Sequence, residues 1–169
     1  AAAKEQLARE SAAPRIAIAS ADLLQIQIDA FEPLQLSGNE FAADEMLAAV
    51  KDRAPQSPDV IAFQAMRDLA ALRPELLELA AAGKAPRLAA DDARAAAVDA
   101  TLQAALKNHQ NHHGLWLAQA LWNQAREFKT TAALRCFKKA TELRKDAVIA
   151  WLSAARMLRE KSMYESALE

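Results

Sequence analysis

Glycine is nearly absent, at 3 of 169 residues, and proline contributes only 6. A fold of many tight turns spends both residues freely, because hairpins and phosphate loops need the positive φ of glycine and the fixed φ of proline. Their scarcity argues against an all-β or α/β fold, and it excludes a glycine-rich nucleotide cradle or a nucleophile elbow. Cysteine occurs once, at Cys136, so an internal disulfide is impossible. Long apolar runs are missing as well: nothing approaches the roughly 18 residues of a membrane span, and no basic start leads into an apolar leader segment. Aromatic residues make up 5% of the chain.

About a quarter of the residues are alanine, and Leu, Arg, Lys, Glu and Gln supply much of the rest. Alanine is the strongest helix former and the smallest residue with a Cβ, so this composition favours closely packed helices. The formal net charge of -1 hides an asymmetry. Residues 1–99 carry 10 basic and 16 acidic side chains, and residues 100–169 carry 11 and 6. Solvated helix faces account for most of this, while an anionic partner for the C-terminal part would exploit it.

Along the chain, periodicity and punctuation predict successive helices. Residues 15–31 are ambiguous, because Leu24, Ile26 and Ile28 alternate with polar residues as a strand would, yet Ile16, Ala19, Leu23, Ile26 and Ala30 recur at helical spacing. A lone strand would lack a partner, which favours helix. A helix is expected from Glu40 to Arg53, with Phe41, Met46, Leu47 and Val50 on its apolar stripe. Another follows Ser57 as cap with Pro58 in its first turn, and a short one opens at Pro74 and ends at Gly83. Residues 84–98 are small, charged and proline-interrupted, and are expected to separate an N-terminal segment, 1–83, from a C-terminal group, 99–169. In that group helices are expected at about 91–107, 113–127, 130–143 and 147–160, with another starting near Met163. Short loops between them imply antiparallel neighbours.

Trp116 and Trp151 stand 35 residues apart, and each follows an alanine, Ala105 or Ala140, by eleven residues. At these residues the chain resembles the tetratricopeptide repeat family. Trp151, Ala154, Ala155 and Leu158 match its first-helix pattern, and Tyr164 and Ala167 its second; Ala133, Phe137 and Ala140 match the second helix of a preceding repeat. Gln119 and Asn123 depart from the pattern, falling where the family carries apolar residues. Upstream, Gly38, Ala43, Val50 and Pro55 form a degenerate match. The resemblance implies an all-α fold of antiparallel helix pairs stacked as a short right-handed solenoid, with Trp151, Ala155 and Ala167 packed between helices. A truncated last repeat implies a chain that continues in a longer protein.

The resemblance also implies function: a non-catalytic scaffold that binds a protein or peptide, with no cofactor. First helices line the concave groove of such stacks, which places the candidate binding residues at Ile149, Leu152, Ser153, Arg156, Arg159 and Glu160, with Leu117, Leu121 and Gln124 from the preceding repeat. Arg156 and Arg159 could offer two guanidinium forks to an acidic peptide. The alternative is an RNA-binding module using Lys138, Lys139, Arg144 and Lys145, although stacking aromatics are not interleaved with them. His109, His112 and His113 cluster in a polar inter-helix loop without a carboxylate or thiol to complete a metal site, so a metal is not expected. Asp91 and Asp92 suit a helix start rather than an acid–base pair. No compartment follows from the sequence; an intracellular setting is the working expectation.

Overall fold

The computed structural model describes residues 40–168, with side chains over 41–162. Among the described residues the protein is all-α: α1 (Glu40–Arg53), α2 (Pro58–Ala71), α3 (Arg73–Ala81), α4 (Ala93–Asn108), α5 (His113–Gln124), α6 (Thr130–Leu143) and α7 (Val148–Leu168). The ambiguous 15–31 segment and Gly38 lie outside them.

Two compact units divide the chain at Arg53. In the first, α1 buries Ala43, Leu47 and Val50 at helical spacing. The second, residues 54–169, contains α2 to α7. Segment 84–98, expected as a junction between helix groups, lies within this second unit and is docked there. Leu88 is 2% exposed; its N–H donates to the Ala125 carbonyl at 2.7 Å, and its own carbonyl accepts from Glu127 N–H at 3.0 Å. These two bonds form an isolated parallel bridge, so an apolar anchor overrides the weak local propensities.

Helix α5 is the hub of this unit, packing against α2, α4 and α6, while α6 packs in turn on α7. Its residues explain why. Leu115, Leu117, Ala118, Ala120 and Trp122 are all at most 2% exposed, and the small residues let neighbouring backbones approach. The indole N–H of Trp122 donates to the Ala65 carbonyl at 2.7 Å, joining α5 to α2. Gln119 and Asn123 are buried too, despite their polarity. Gln119 donates to Asp99 at 2.6 Å and accepts from Gln103 at 3.3 Å, both on α4, while the Asn123 amide lies 3.8 Å from the Cys136 sulfur on α6. Buried amides survive in a core when hydrogen-bonded. Cys136 itself is buried, and burial raises its thiol pKa.

Helix ends follow the punctuation. Asp92 caps α4 by accepting from the N–H groups of Arg94 and Ala95, and Arg94 forms a fork to Glu75 at 2.7 and 2.9 Å. The Asp92 carboxylate is held down at a pKa of about 2, chiefly by the Arg94 hydrogen bond. Gly83, at φ +70°, closes α3 with Lys84 N–H donating to the Leu79 carbonyl. Ser57 occupies the cap position of α2 but its hydroxyl makes no capping bond; Pro58 in the first turn carries the start instead.

The 35-residue interval is visible in the backbone. Before α5, His112 N–H donates to His109 carbonyl at 3.0 Å and the Trp116 indole to Gln110 carbonyl at 2.7 Å. Before α7, Ala147 N–H donates to Arg144 carbonyl at 3.3 Å and the Trp151 indole to Lys145 carbonyl at 3.0 Å. The turn before α2 has the same backbone bond, Ser57 to Ala54 at 3.0 Å. Helix α3 and the docked 84–92 segment intervene between α2 and α4.

At the C-terminal end two expectations fail. Helix α7 runs unbroken through Leu168, so no second helix starts near Met163, and Tyr164 and Ala167 belong to the same helix as Trp151. Nothing in KSMYES breaks a helix, since it lacks both glycine and proline. Trp151, expected in the core, is 55% exposed, and Ala155 is exposed. The buried face of α7 is Ala150 and Met157 instead.

Candidate functional site

Within the second unit a cleft of about 870 Å³ opens where α2, α3, α5 and α7 converge on the loop before α4. Leu69, Leu76 and Leu121 supply apolar wall, and Pro86 and Arg87 come from the docked segment. The turn after α5 adds Glu127, Phe128 and Thr130, while α7 contributes Arg156 and Glu160. The parallel bridge at Leu88 holds two of these walls together, because it fastens the 85–87 loop to the 125–128 turn.

Four of the nine residues nominated from sequence, Leu121, Gln124, Arg156 and Glu160, line this cleft. Leu117 does not: it is 2% exposed in the core of the unit. Ile149 and Ser153 are half-buried on α7 outside the lining, and Leu152 and Arg159 are exposed outside it. Arg156 and Glu160 are four apart on one helical face; Leu152, one turn before Arg156 on that face, falls outside the lining, and so does Arg159 beside Glu160.

Charges in the cleft are unevenly satisfied. Glu160 sits 3.6 Å from Arg87, both partly exposed, an arrangement that fixes geometry more than it stabilises. Arg156 is exposed, and no ion pair joins it to another described side chain. Glu127 and Phe128 also line the cleft.

Phe128 is what sequence reasoning missed. Its φ of 58° lies in the left-handed region, and its ring is 90% exposed. A bulky residue held there costs about 1–2 kcal/mol against an extended or helical conformation. The Glu127 N–H bond to Leu88 and the start of α6 at Thr130 force the chain through this geometry. The signal was faint: EFKT between two helices shows a short turn without glycine, but not which residue takes the strain.

Behind the cleft wall lies Arg126, 7% exposed. It donates to the Ala90 carbonyl at 2.8 Å and faces Asp99 at 3.5 Å, while its Nε has no partner. This guanidinium pins the 84–92 segment from inside.

The histidine loop is built for structure. His112 caps α5 through Nδ1, which accepts from Leu115 N–H at 3.2 Å, and its Nε2 lies 3.0 Å from Asp59 of α2. Both ring nitrogens are thereby engaged. His113 is half-buried, and burial with the nearby Arg144 charge lowers its pKa to about 4. Among the described residues no three His, Cys, Asp or Glu side chains are grouped to hold a metal ion, and no helix is long and apolar enough to cross a membrane. The basic residues nominated for RNA are partly neutralised: Lys138 and Lys139 lie 4.0 and 3.9 Å from Glu142, and Arg144 lies 3.2 Å from Asp146.

No family model, curated protein or solved structure matches this chain.

Proposed function

We propose that the protein is a non-catalytic helical scaffold of tetratricopeptide-like stacked pairs, and that the 870 Å³ cleft binds a peptide segment of a protein partner. The observation that carries this is the convergence of Leu121, Gln124, Arg156 and Glu160, all expected on the groove side from the repeat register, around one concavity. Its volume falls in the range of about 300–1,000 Å³ usual for ligand clefts. Leu69, Leu76 and Leu121 would take apolar side chains. Arg156, without an ion pair among the described side chains, would take a carboxylate. Glu127 in the lining disfavours a uniformly acidic ligand, so the partner segment is apolar with one acidic group, set at Arg156.

The test is selection of peptides from a random display library on the immobilised chain, repeated with Arg156→Glu and with Phe128→Ala. Enrichment of apolar sequences with one acidic position, lost in both variants while helicity by circular dichroism is kept, supports the proposal. Equal enrichment on all three proteins refutes it. An electrophoretic mobility shift with single-stranded RNA at low salt, fading steeply as salt rises, would replace it with the RNA-binding alternative.

A further inference from the structure

The core of the second unit closes without α3. Helix α2 packs directly on α4 and α5, although α3 lies between α2 and α4 in the chain. No side chain of α3 is buried: Leu76 and Leu79 are half-buried, and every other residue of the helix is exposed. Yet α3 supplies Leu76 to the lining of the cleft. A wall held by so little apolar contact moves without opening the core beneath it.

Both ends of α3 are built to turn. Leu72 is at once the C-cap of α2 and the N-cap of α3, a single residue at φ −84°, ψ −3° between two helices. Pro74 follows in the first turn of α3 and has no N–H, so the hydrogen-bond ladder of α2 cannot run on through the joint. At the other end Gly83 stands at φ +70° with open space where a Cβ would be, and residues 80–86 are all exposed before the chain is anchored at Leu88. Leu69, in the last turn of α2, is on the fixed side of the Leu72 joint, and Leu76 is on the moving side. Both line the cleft, so rotation at Leu72 changes the spacing of its apolar wall.

A polar fork ties the first turn of α3 to the first turn of α4. Arg94 reaches the two carboxylate oxygens of Glu75 at 2.7 and 2.9 Å, with the side chains 49 and 45% exposed, so water and salt compete with the contact. Arg94 also bonds Asp92 at 2.7 Å, which keeps the cation on α4 when Glu75 leaves. We infer that α3 is a hinged lid on the cleft, turning about Leu72 and Gly83 and latched by the Glu75–Arg94 fork. With the latch released the lid turns outward and admits the apolar segment. A bound segment packs on Leu76 and holds the lid in, so ligand and latch stabilise the same state, and ionic strength sets how tightly the cleft keeps its ligand. This regulation rests on the cleft being the binding site; the motion of α3 does not.

The test reads the lid in the full chain without any ligand. Spin labels are placed at Ala80→Cys on α3 and Lys138→Cys on α6, both exposed, with Cys136→Ala so that no other thiol takes the label. Electron–electron double resonance gives two distance populations, one that of the latched structure and one not. Glu75→Gln raises the second relative to the first by about threefold, and Glu75→Lys, which sets a cation against Arg94, raises it further. Sodium chloride raises it in the chain that keeps Glu75 and leaves it unchanged in Glu75→Gln. A distribution that neither substitution nor salt moves overturns the inference. Loss of helicity in Glu75→Gln by circular dichroism also overturns it, because α3 would then melt rather than turn. Populations that respond while the peptide selection fails keep the lid and remove the peptide reading; a selection that succeeds beside an unresponsive α3 does the reverse.

Discussion

Trp122 and Trp151 should respond to truncation in opposite measure to their prominence in the sequence. Trp122 is 2% exposed and its indole donates to a carbonyl of α2, while Trp151 is 55% exposed with its indole on the loop carbonyl of Lys145. Truncating a fully buried aromatic to alanine costs about 3–5 kcal/mol, through lost transfer energy and the cavity left behind. The indole bond adds about 1 kcal/mol for Trp122, not more, because the Ala65 carbonyl lies inside a helix and keeps its backbone partner. For Trp151 less than half of a side-chain area of about 250 Å² is covered, so at ~25 cal/mol/Å² the loss is at most about 3 kcal/mol. The alanine Cβ and a compact unfolded state reduce that to ~1–2 kcal/mol. Urea unfolding followed by far-ultraviolet circular dichroism and by tryptophan fluorescence gives both values, with coincident transitions required. Should Trp122→Ala abolish folding, Trp122→Phe at about 1–2 kcal/mol against Trp151→Phe near zero preserves the comparison. Trp151→Ala proving the more destabilising of the two alanine variants would refute the packing described for α5 and α7.

Phe128→Gly should leave the chain as stable or up to about 1 kcal/mol more stable, because glycine accepts φ 58° without penalty, while peptide binding in the cleft falls; thermal melting and the display-selected peptide report the two effects. Asp92→Ala should cost about 1–2 kcal/mol at neutral pH, read from urea midpoints, through loss of the α4 cap. Its carboxyl pKa is lowered to about 2 in the fold, so the contribution is complete above the ordinary value of 3.8 and disappears as pH falls through about 2. His113 has the opposite chemistry and the same direction in pH: neutral in the fold down to about 4, it binds a proton in the unfolded chain below 6.5, so stability declines as pH falls from 6.5 to 4. His113→Gln should flatten that part of the stability profile, and an unchanged slope would show that another group causes it. Leu88→Ala should cost about 2–4 kcal/mol and speed proteolysis in the 84–92 segment, detected by limited digestion.

Helix positions were legible from the residues because local signals agreed with the packing: Glu40–Arg53 and Thr130–Leu143 fall where periodicity, Pro55 and the short loops put them. Burial was less legible. Gln119 and Asn123 read as departures from an apolar pattern, yet Asp99, Gln103 and Cys136 satisfy them inside the core, and no single-helix pattern carries that pairing. The tetratricopeptide resemblance puts Trp151 in the core, but its indole reaches the Lys145 carbonyl at 3.0 Å with the side chain 55% exposed, and the face α7 buries is that of Ala150 and Met157. Part of the candidate site was accessible through the repeat register, which put Arg156, Glu160, Leu121 and Gln124 together. The larger part comes from α2, α3, the docked loop and the Phe128 turn, and the last two are joined by a bridge between residues far apart in sequence.

That bridge has a dynamic consequence. The amides of Leu88 and Glu127 are protected only by each other's strand, and Arg126 between them is anchored to Ala90 on the same segment. Lifting the segment would strip a buried guanidinium of its carbonyl acceptor, so the three residues should open in one event rather than fray separately. The amide protons of Leu88 and Glu127 should then exchange at a common rate, slower than those of the exposed loop residues around them. One cleft wall would come and go with that event, making exchange at Leu88 a clock for how often the cavity is intact.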